Sequence, residues 1–317
     1  MQNNMNFTNI ALAIYELEHE LERELNYRGI KFHKRDRLYF LEANYCPLFA
    51  QVTWIDCQKI PITSIGDGIK KLRALARDWS LFTISDHGRA HLIQDGLYKI
   101  KDNPVEFMAP PPKYPMGGWT LLDANTIVCS TNTTSRYPLG KIEFDENKTV
   151  PPSRAYLKLW EIFTVHCAPP QPHTKVIDMG SSPGGWSWVL SQLELDVISV
   201  DKAPLAPNIA KIPNITFLQE SAFGLDPKKM DNIEWFFSDI ICYPERLLEL
   251  VKNWMQKSNV KHFVCTIKFQ GEADFAIIDQ FLKIPNSSIV HLYHNKHEVM
   301  WWVRSFNVVQ GKLHKGF

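Results

Sequence analysis

The chain has 317 residues, 45% of them hydrophobic and 22% charged, enough apolar material for a sizeable core and enough length for two domains. Its 35 Lys and Arg against 34 Asp and Glu leave a net charge of +1, which disfavours a protein that holds nucleic acid by bulk positive charge and leaves only a local basic groove. The six cysteines, Cys46, Cys57, Cys129, Cys167, Cys242 and Cys265, include no C-x-x-C pair, which argues against a zinc ribbon, an iron–sulfur site or a disulfide scaffold and for a reducing, cytoplasmic setting.

The polar residues 1–4 run into an acidic pattern with no signal-like apolar region, and no stretch approaches ~18 uninterrupted apolar residues, so neither export nor membrane insertion is indicated. Ile10, Ile14, Leu17, Leu21 and Leu25 recur at helical spacing and predict an amphipathic helix over 10–25, with Glu16, Glu18, Glu20, Glu22 and Glu24 on solvated faces. Strand-like runs follow at 37–41 and 48–55, then a helix-like 65–79 and a strand-like 79–84, which together make an α+β module. Lys31, His33, Lys34, Arg35, Arg37, Lys70, Lys71, Arg73 and Arg77 concentrate positive charge here. They suit either an RNA-facing surface or ordinary solvated loops and helix faces. Prolines cluster over 103–115 and again at Pro151-Pro152, breaks that place a domain boundary after residue 150.

Beyond residue 151 the pattern becomes helices alternating with apolar runs. Strands are expected at 175–178, 197–200, 215–218, 235–238, 262–267, 288–293 and 299–304, with helices at 186–193, 245–254 and 274–282. That order predicts an α/β fold, a doubly wound Rossmann-like and mostly parallel sheet over 151–317. The last two strands are joined by a connection too short for a helical crossover, so they should form a terminal antiparallel hairpin.

The first of these strands ends in Asp178-Met179-Gly180-Ser181-Ser182-Pro183-Gly184-Gly185-Trp186. Glycines there let the backbone turn tightly and approach a ligand, and the following helix offers unpaired N–H groups. The spacing departs from the dinucleotide fingerprint G-x-G-x-x-G. Asp201, ending the second strand, is placed to accept hydrogen bonds from a ribose 2′,3′-diol. Adenosine without a pyrophosphate fits this arrangement, with Asp178 facing the amino-acid end of such a ligand.

The run from Asp178 to Ser187 resembles the D-L-G-x-x-P-G-G-[WF]-[ST] signature of the FtsJ-type S-adenosylmethionine-dependent RNA ribose 2′-O-methyltransferases. The similarity covers 151–304 and is nearest the RlmM-like branch, which modifies a cytidine ribose of large-subunit ribosomal RNA. It extends to residues 130–135 and 152–159 and to Leu292-Tyr293-His294-Asn295-Lys296-His297-Glu298-Val299. The resemblance implies S-adenosyl-L-methionine as cofactor and a 23S-type ribosomal RNA as partner. It also implies an RNA-binding N-terminal domain over 1–150, an abbreviated THUMP-like module because the region ahead of Lys158 is short. Asp178, Gly180, Ser182, Pro183, Gly184, Gly185, Trp186, Asp201 and Asp239 match the cofactor site. Serine at 221 stands where that branch has an adenine-recognising aspartate, and Glu220 is the substitute. No metal ligand is implied.

The family's Lys-Asp-Lys-Glu tetrad matches Lys158, Asp239, Lys268 and Glu298. The residues suit the part on their own chemistry. Lys158 lies off the buried stripe of Tyr156, Leu159, Trp160 and Phe163, which leaves its ammonium free to reach a cleft. Asp239 and Lys268 each follow an apolar strand at its carboxyl end, where open α/β sheets bind ligands. Lys268 would activate the target hydroxyl, by taking its proton or by holding the developing oxyanion, while Asp239 orients it and Lys158 and Glu298 position the ribose and tune the pair. Two lysines with an acid between them would lower a lysine pKa. His291, His294 and His297 are spaced so that they do not converge on a metal, and Trp301-Trp302 reads as packing of the hairpin. A noncatalytic RNA-binding or ribosome-assembly protein on the same scaffold is the competing reading. A methyltransferase acting on a base or a protein is a third, and it has no need of two active-site lysines.

Overall fold

The computed structural model describes residues 6–101 and 103–304; the polar residues 1–4 and the end of the expected C-terminal domain lie outside them. The chain divides into two compact units, one of residues up to Val105 together with Pro110–Glu143, the other of Glu106–Ala109 together with the chain from Phe144 onward. All six cysteines are free thiols. No helix among the described residues is long and apolar enough to cross a membrane.

The N-terminal unit runs β1 (Asn9–Ala13), α1 (Glu18–Tyr27), β2 (Phe32–Arg35), β3 (Leu38–Leu41), β4 (Ala50–Ile55), β5 (Gln58–Pro61), α2 (Ile65–Leu75), β6 (Asp78–Leu81), α3 (His87–Asp95), β7 (Met116–Asp123), β8 (Thr126–Ser130) and β9 (Asn132–Thr133). Its strands form two sheets, β2-β3-β1-β4-β9 and β5-β8-β7-β6. The expected helix over 10–25 is therefore wrong in its first half. Residues 9–13 are a strand paired antiparallel with both β3 and β4 and buried along its whole length, and a short apolar run buried on two faces carries no period that separates strand from helix. The solvated reading of the acidic face also fails at two positions. Glu20 is buried and paired with Arg23 at 2.7 Å. Glu24 is buried and accepts from the Tyr45 hydroxyl and the Leu48 and Phe49 amides at 2.7, 2.7 and 3.0 Å. Helix α2 stops at Leu75, well short of residue 79, because the backbone is already extended at Ala76. Strands β2 and β5, helix α3 and the strands β7 to β9 went unseen in the sequence.

The C-terminal unit begins with α4 (Tyr156–Glu161), extended by a π-helical turn over Ile162–His166. It continues as β10 (Lys175–Met179), α5 (Gly185–Gln192), β11 (Asp196–Val200), β12 (Ile215–Leu218), β13 (Trp235–Ser238), α6 (Pro244–Lys257), β14 (His262–Lys268), α7 (Phe275–Leu282), β15 (Ser287–Val290) and β16 (Glu298–Val303). The sheet order is β12-β11-β10-β13-β14-β16-β15, the doubly wound sheet expected, with parallel pairing through β14 and an antiparallel β15–β16 hairpin. Strand β16 inserts between β14 and β15, so Trp301 is enclosed in the core against Phe263 and Phe281 rather than lying at an edge. The chain winds outward from β10 to β12, then returns to β13 on the other side of β10. The crevice outside the carboxyl ends of β10 and β13 is the switch point at which such sheets bind ligands.

Candidate active site

Register brings distant residues to that crevice. In β10, Met179 is level with Val200 of β11 and Ser238 of β13, so the loop from Gly180, Asp201 and Asp239 all leave the sheet at one edge. Strand β16 runs antiparallel to β14, and its first residue, Glu298, pairs with the last residue of β14, Lys268. Paired residues project on the same face of a sheet, which explains how position 298 joins position 268. Helix α4 supplies the fourth member.

The four side chains converge. The Lys158 Nζ stands 2.6 Å from Glu298 Oε1 and 3.0 Å from Asp239 Oδ1, and donates to Asp239 Oδ2 as well at 3.3 Å. The Lys268 Nζ stands 3.1 Å from Asp239 Oδ1 and donates to the Asp239 main-chain carbonyl at 2.7 Å. Lys158 and Glu298 are buried and Lys268 is half-buried. The expectation of a free Lys158 ammonium is corrected, since two carboxylates clamp it. Burial by itself would lower its pKa, but Asp239 and Glu298 overcome that and hold it above the ordinary lysine value. The proposed device for lowering a lysine pKa therefore works in reverse at Lys158, which has two acids beside it.

The glycine loop lies next to this cluster. Gly180 and Gly184 have φ of +76° and +113°, and a Cβ would come within 2.6 Å of Ile240 at the first and 2.7 Å of Ile209 at the second. Both positions demand glycine on conformation and on space. The Ser182 amide donates to Asp201 at 3.0 Å and its hydroxyl to the Pro204 carbonyl at 2.9 Å. Asp201 thus ties down the loop in addition to whatever ligand it meets, and the Ser182 hydroxyl is turned to the protein. Pro183 is exposed and Gly185 is packed against Ser153. The Trp186 indole is buried edge-on to Phe237 and donates to the Ala155 carbonyl at 3.0 Å. Glu220 is exposed two residues past the end of β12.

Asp178 lies fully buried beneath the loop. Its Oδ2 accepts from the Ser187 hydroxyl at 2.6 Å, and that hydroxyl lies 2.6 Å from Ser199 Oγ. Its Oδ1 and the Ser181 hydroxyl are both buried without a hydrogen-bond partner. Two orphaned polar atoms under a glycine turn are open to hydrogen bonds from a ligand. Burial pushes the Asp178 carboxyl up to about 7, with Ser187 opposing and the Asp239 and Asp201 carboxylates adding to the rise. A carboxyl raised on folding keeps its proton while the unfolded chain loses it. Asp178 therefore costs no stability below about pH 4 and a growing amount up to about pH 7, on the order of 4 kcal/mol in all. Urea unfolding of the ligand-free protein and of Asp178→Asn should show a stability difference that grows in favour of the variant between those limits. A difference independent of pH would show that Asp178 is ionised throughout.

One residue of the site escaped sequence reasoning. Glu161 is buried one turn beyond Lys158 on α4, and its carboxylate accepts from the Tyr293 and His294 amides at 2.7 and 3.0 Å and pairs with His294 Nδ1 at 2.7 Å. Helix α4 so grips the β15–β16 connection at Glu161 and its end at Lys158. The signal was the i, i+3 spacing of two charged residues on a helix with a buried neighbouring face. His291 bonds the Lys296 carbonyl at 2.8 Å, so His291 and His294 serve this turn.

The model of the FtsJ-like methyltransferase family matches residues 151–294. A protein of Halorhodospira halophila named ribosomal RNA large subunit methyltransferase M is 26% identical over 163 residues, covering 48% of this chain and 47% of the relative. Its namesake in Saccharophagus degradans is 30% identical over 165 residues, 47% of each chain. The one in Cellvibrio japonicus is 26% identical over 197 residues, 56% of this chain and 55% of its own. The chain spans about half the length of the curated relatives it matches.

Proposed function

We propose, from the premise that residues 151–294 belong to the FtsJ-like methyltransferase family, that this chain transfers a methyl group from S-adenosyl-L-methionine to a ribose 2′-hydroxyl of RNA. Large-subunit ribosomal RNA is the substrate in the names of its relatives. The observation that carries the reading is the convergence of Lys158, Asp239, Lys268 and Glu298 beside the glycine loop.

The residues present fit the cofactor. The orphaned oxygens of Asp178 and Ser181 would take its donors, Asp201 its ribose hydroxyls, and the backbone around Gly180, Gly184 and Gly185 would allow close approach. When bound, the cofactor supplies an electrophilic sulfonium methyl group. The protein's task is to activate a hydroxyl that is far too weak an acid at neutral pH and to hold it in line. Lys158 has its donors committed to Asp239 and Glu298. Lys268 commits two contacts to Asp239 and keeps capacity at Nζ, so Lys268 is the group that meets the target oxygen. Asp239 fixes it from both its side chain and its carbonyl, and the Lys158–Glu298 pair fixes Asp239.

The N-terminal unit would present the RNA. Several cations picked out in the sequence are paired within that unit, Lys34 with Glu22 and Lys71 with Asp67. Arg77 instead lies 3.8 Å from the Tyr98 ring and 4.3 Å from the Tyr114 ring, with Asp78 at 3.7 Å, beside a 470 Å³ groove that Arg73 also lines. Rings and guanidinium groups together suit single-stranded nucleic acid.

The reading is tested by incubating the protein with labelled cofactor and ribosomal RNA from cells lacking it, then analysing nucleosides by mass spectrometry. One new 2′-O-methylnucleoside is expected, with Arg77→Ala raising the KM for RNA and flattening its salt dependence. A methylated base overturns the ribose assignment. RNA binding without any methyl transfer favours the assembly reading.

A further inference from the structure

The segment after Asp239 carries two of the three most exposed large hydrophobic side chains among the described residues, Ile241 at 78% and Tyr243 at 63%. They alternate with inward residues. Ile240 packs on the glycine loop at Gly180 and Cys242 is buried, so 241 and 243 are the exposed residues of a short strip. The fold does not use either outward side chain. The start of α6 is capped by the Tyr243 main-chain carbonyl, which accepts from the Arg246 and Leu247 amides at 3.1 and 3.2 Å. Neither side chain makes a hydrogen bond or ring contact among the described residues.

Cations flank the strip. Lys268 donates to the Asp239 main-chain carbonyl at 2.7 Å, where the strip begins, and the Arg246 amide donates to the Tyr243 carbonyl at 3.1 Å, where it ends. The Arg246 guanidinium is held 3.8 Å from the Phe223 ring. Exposed apolar side chains between two cations complement a ligand with flat apolar faces and an anionic backbone, which describes a nucleotide. In a nucleotide the base hangs from the carbon next to the one bearing the 2′-hydroxyl. A ribose held at Lys268 brings its base onto the segment that follows Asp239.

We propose that Ile241 and Tyr243 form the subsite for the base of the nucleotide being methylated, Tyr243 stacking on its face, Ile241 filling the space its unstacked neighbour leaves, and Arg246 taking an adjacent phosphate. This rests on the function proposed above. Stacking on a ring is tolerant of base identity, so the subsite holds the nucleotide without choosing it.

The test uses the full chain, cofactor and ribosomal RNA from cells lacking the protein. Both side chains are exposed, so Tyr243→Ala and Ile241→Ala should fold as wild type. Tyr243→Ala is expected to raise the KM for RNA roughly tenfold with kcat and cofactor affinity unchanged, and Tyr243→Phe to restore it, because stacking needs the ring and not the hydroxyl. A Tyr243→Ala protein with wild-type KM overturns the proposal, as does one whose cofactor affinity falls in step, which would make the strip part of the glycine loop's support. An inactive wild type brings down the proposed function and this subsite together. An active wild type with an indifferent Tyr243 brings down the subsite alone.

Discussion

Lys268→Ala is expected to lower methyl transfer to RNA by about 10²- to 10⁴-fold, the usual contribution of a positioned group that activates a hydroxyl, while leaving cofactor affinity unchanged. The contacts of Lys268 among the described residues explain why the loss falls on chemistry. Its Nζ touches only Asp239, through the carbonyl and Oδ1, and Lys158 remains to balance that carboxylate at 3.0 Å. Single-turnover kinetics with saturating cofactor, set beside calorimetric cofactor binding, measure the two effects separately. Lys268→Arg refines the result, because guanidinium keeps the charge but does not take up a proton at neutral pH. Substantial activity in that variant assigns Lys268 to holding the oxyanion, and its loss assigns proton acceptance. A Lys268→Ala protein with undiminished turnover removes this residue from the reaction.

Lys158→Met is expected to fail differently, by destabilising the C-terminal unit by about 3–5 kcal/mol, the penalty for removing one partner of a buried ion pair. Both carboxylates it serves are largely buried, with side-chain exposures of 14% at Asp239 and 10% at Glu298. Without the ammonium Glu298 loses the cation beside it and Asp239 keeps only Lys268. Urea unfolding of the variant beside wild type measures the loss, and Lys158→Met combined with Glu298→Gln should recover part of it, because no carboxylate is then left stranded at 298. A double variant as unstable as the single one would mean that methionine fails by shape rather than by stranded charge. Glu298→Gln should cost less, because Lys158 keeps Asp239.

Much of the C-terminal unit was legible because its inner strands, such as β13 and β14, are buried on both faces and read as continuous apolar runs. Observed strands at Ile215–Leu218 and Trp235–Ser238 coincide with the expected ones. The N-terminal unit was read less well. Its first strand, Asn9–Ala13, is too short to show a period and is settled only by pairing on both sides. The burial of Glu20 and Glu24 follows from partners brought from Arg23, Tyr45, Leu48 and Phe49, and charge patterning along a helix holds no trace of Glu24's distant partners.

Local chemistry was settled by the chain itself: glycine where the backbone is left-handed at 180 and 184, a charge at the carboxyl end of each of β13 and β14, and a doubly wound order of elements. Tertiary structure alone decided how those charges act. Antiparallel insertion of β16 between β14 and β15 sets Glu298 level with Lys268, and Asp239 and Glu298 together turn an ammonium that looked free into a clamped one held above its ordinary pKa. Which residues share a strand depends on neighbours along the polypeptide, whereas the protonation and reach of a side chain depend on charges that only folding brings within a few ångströms.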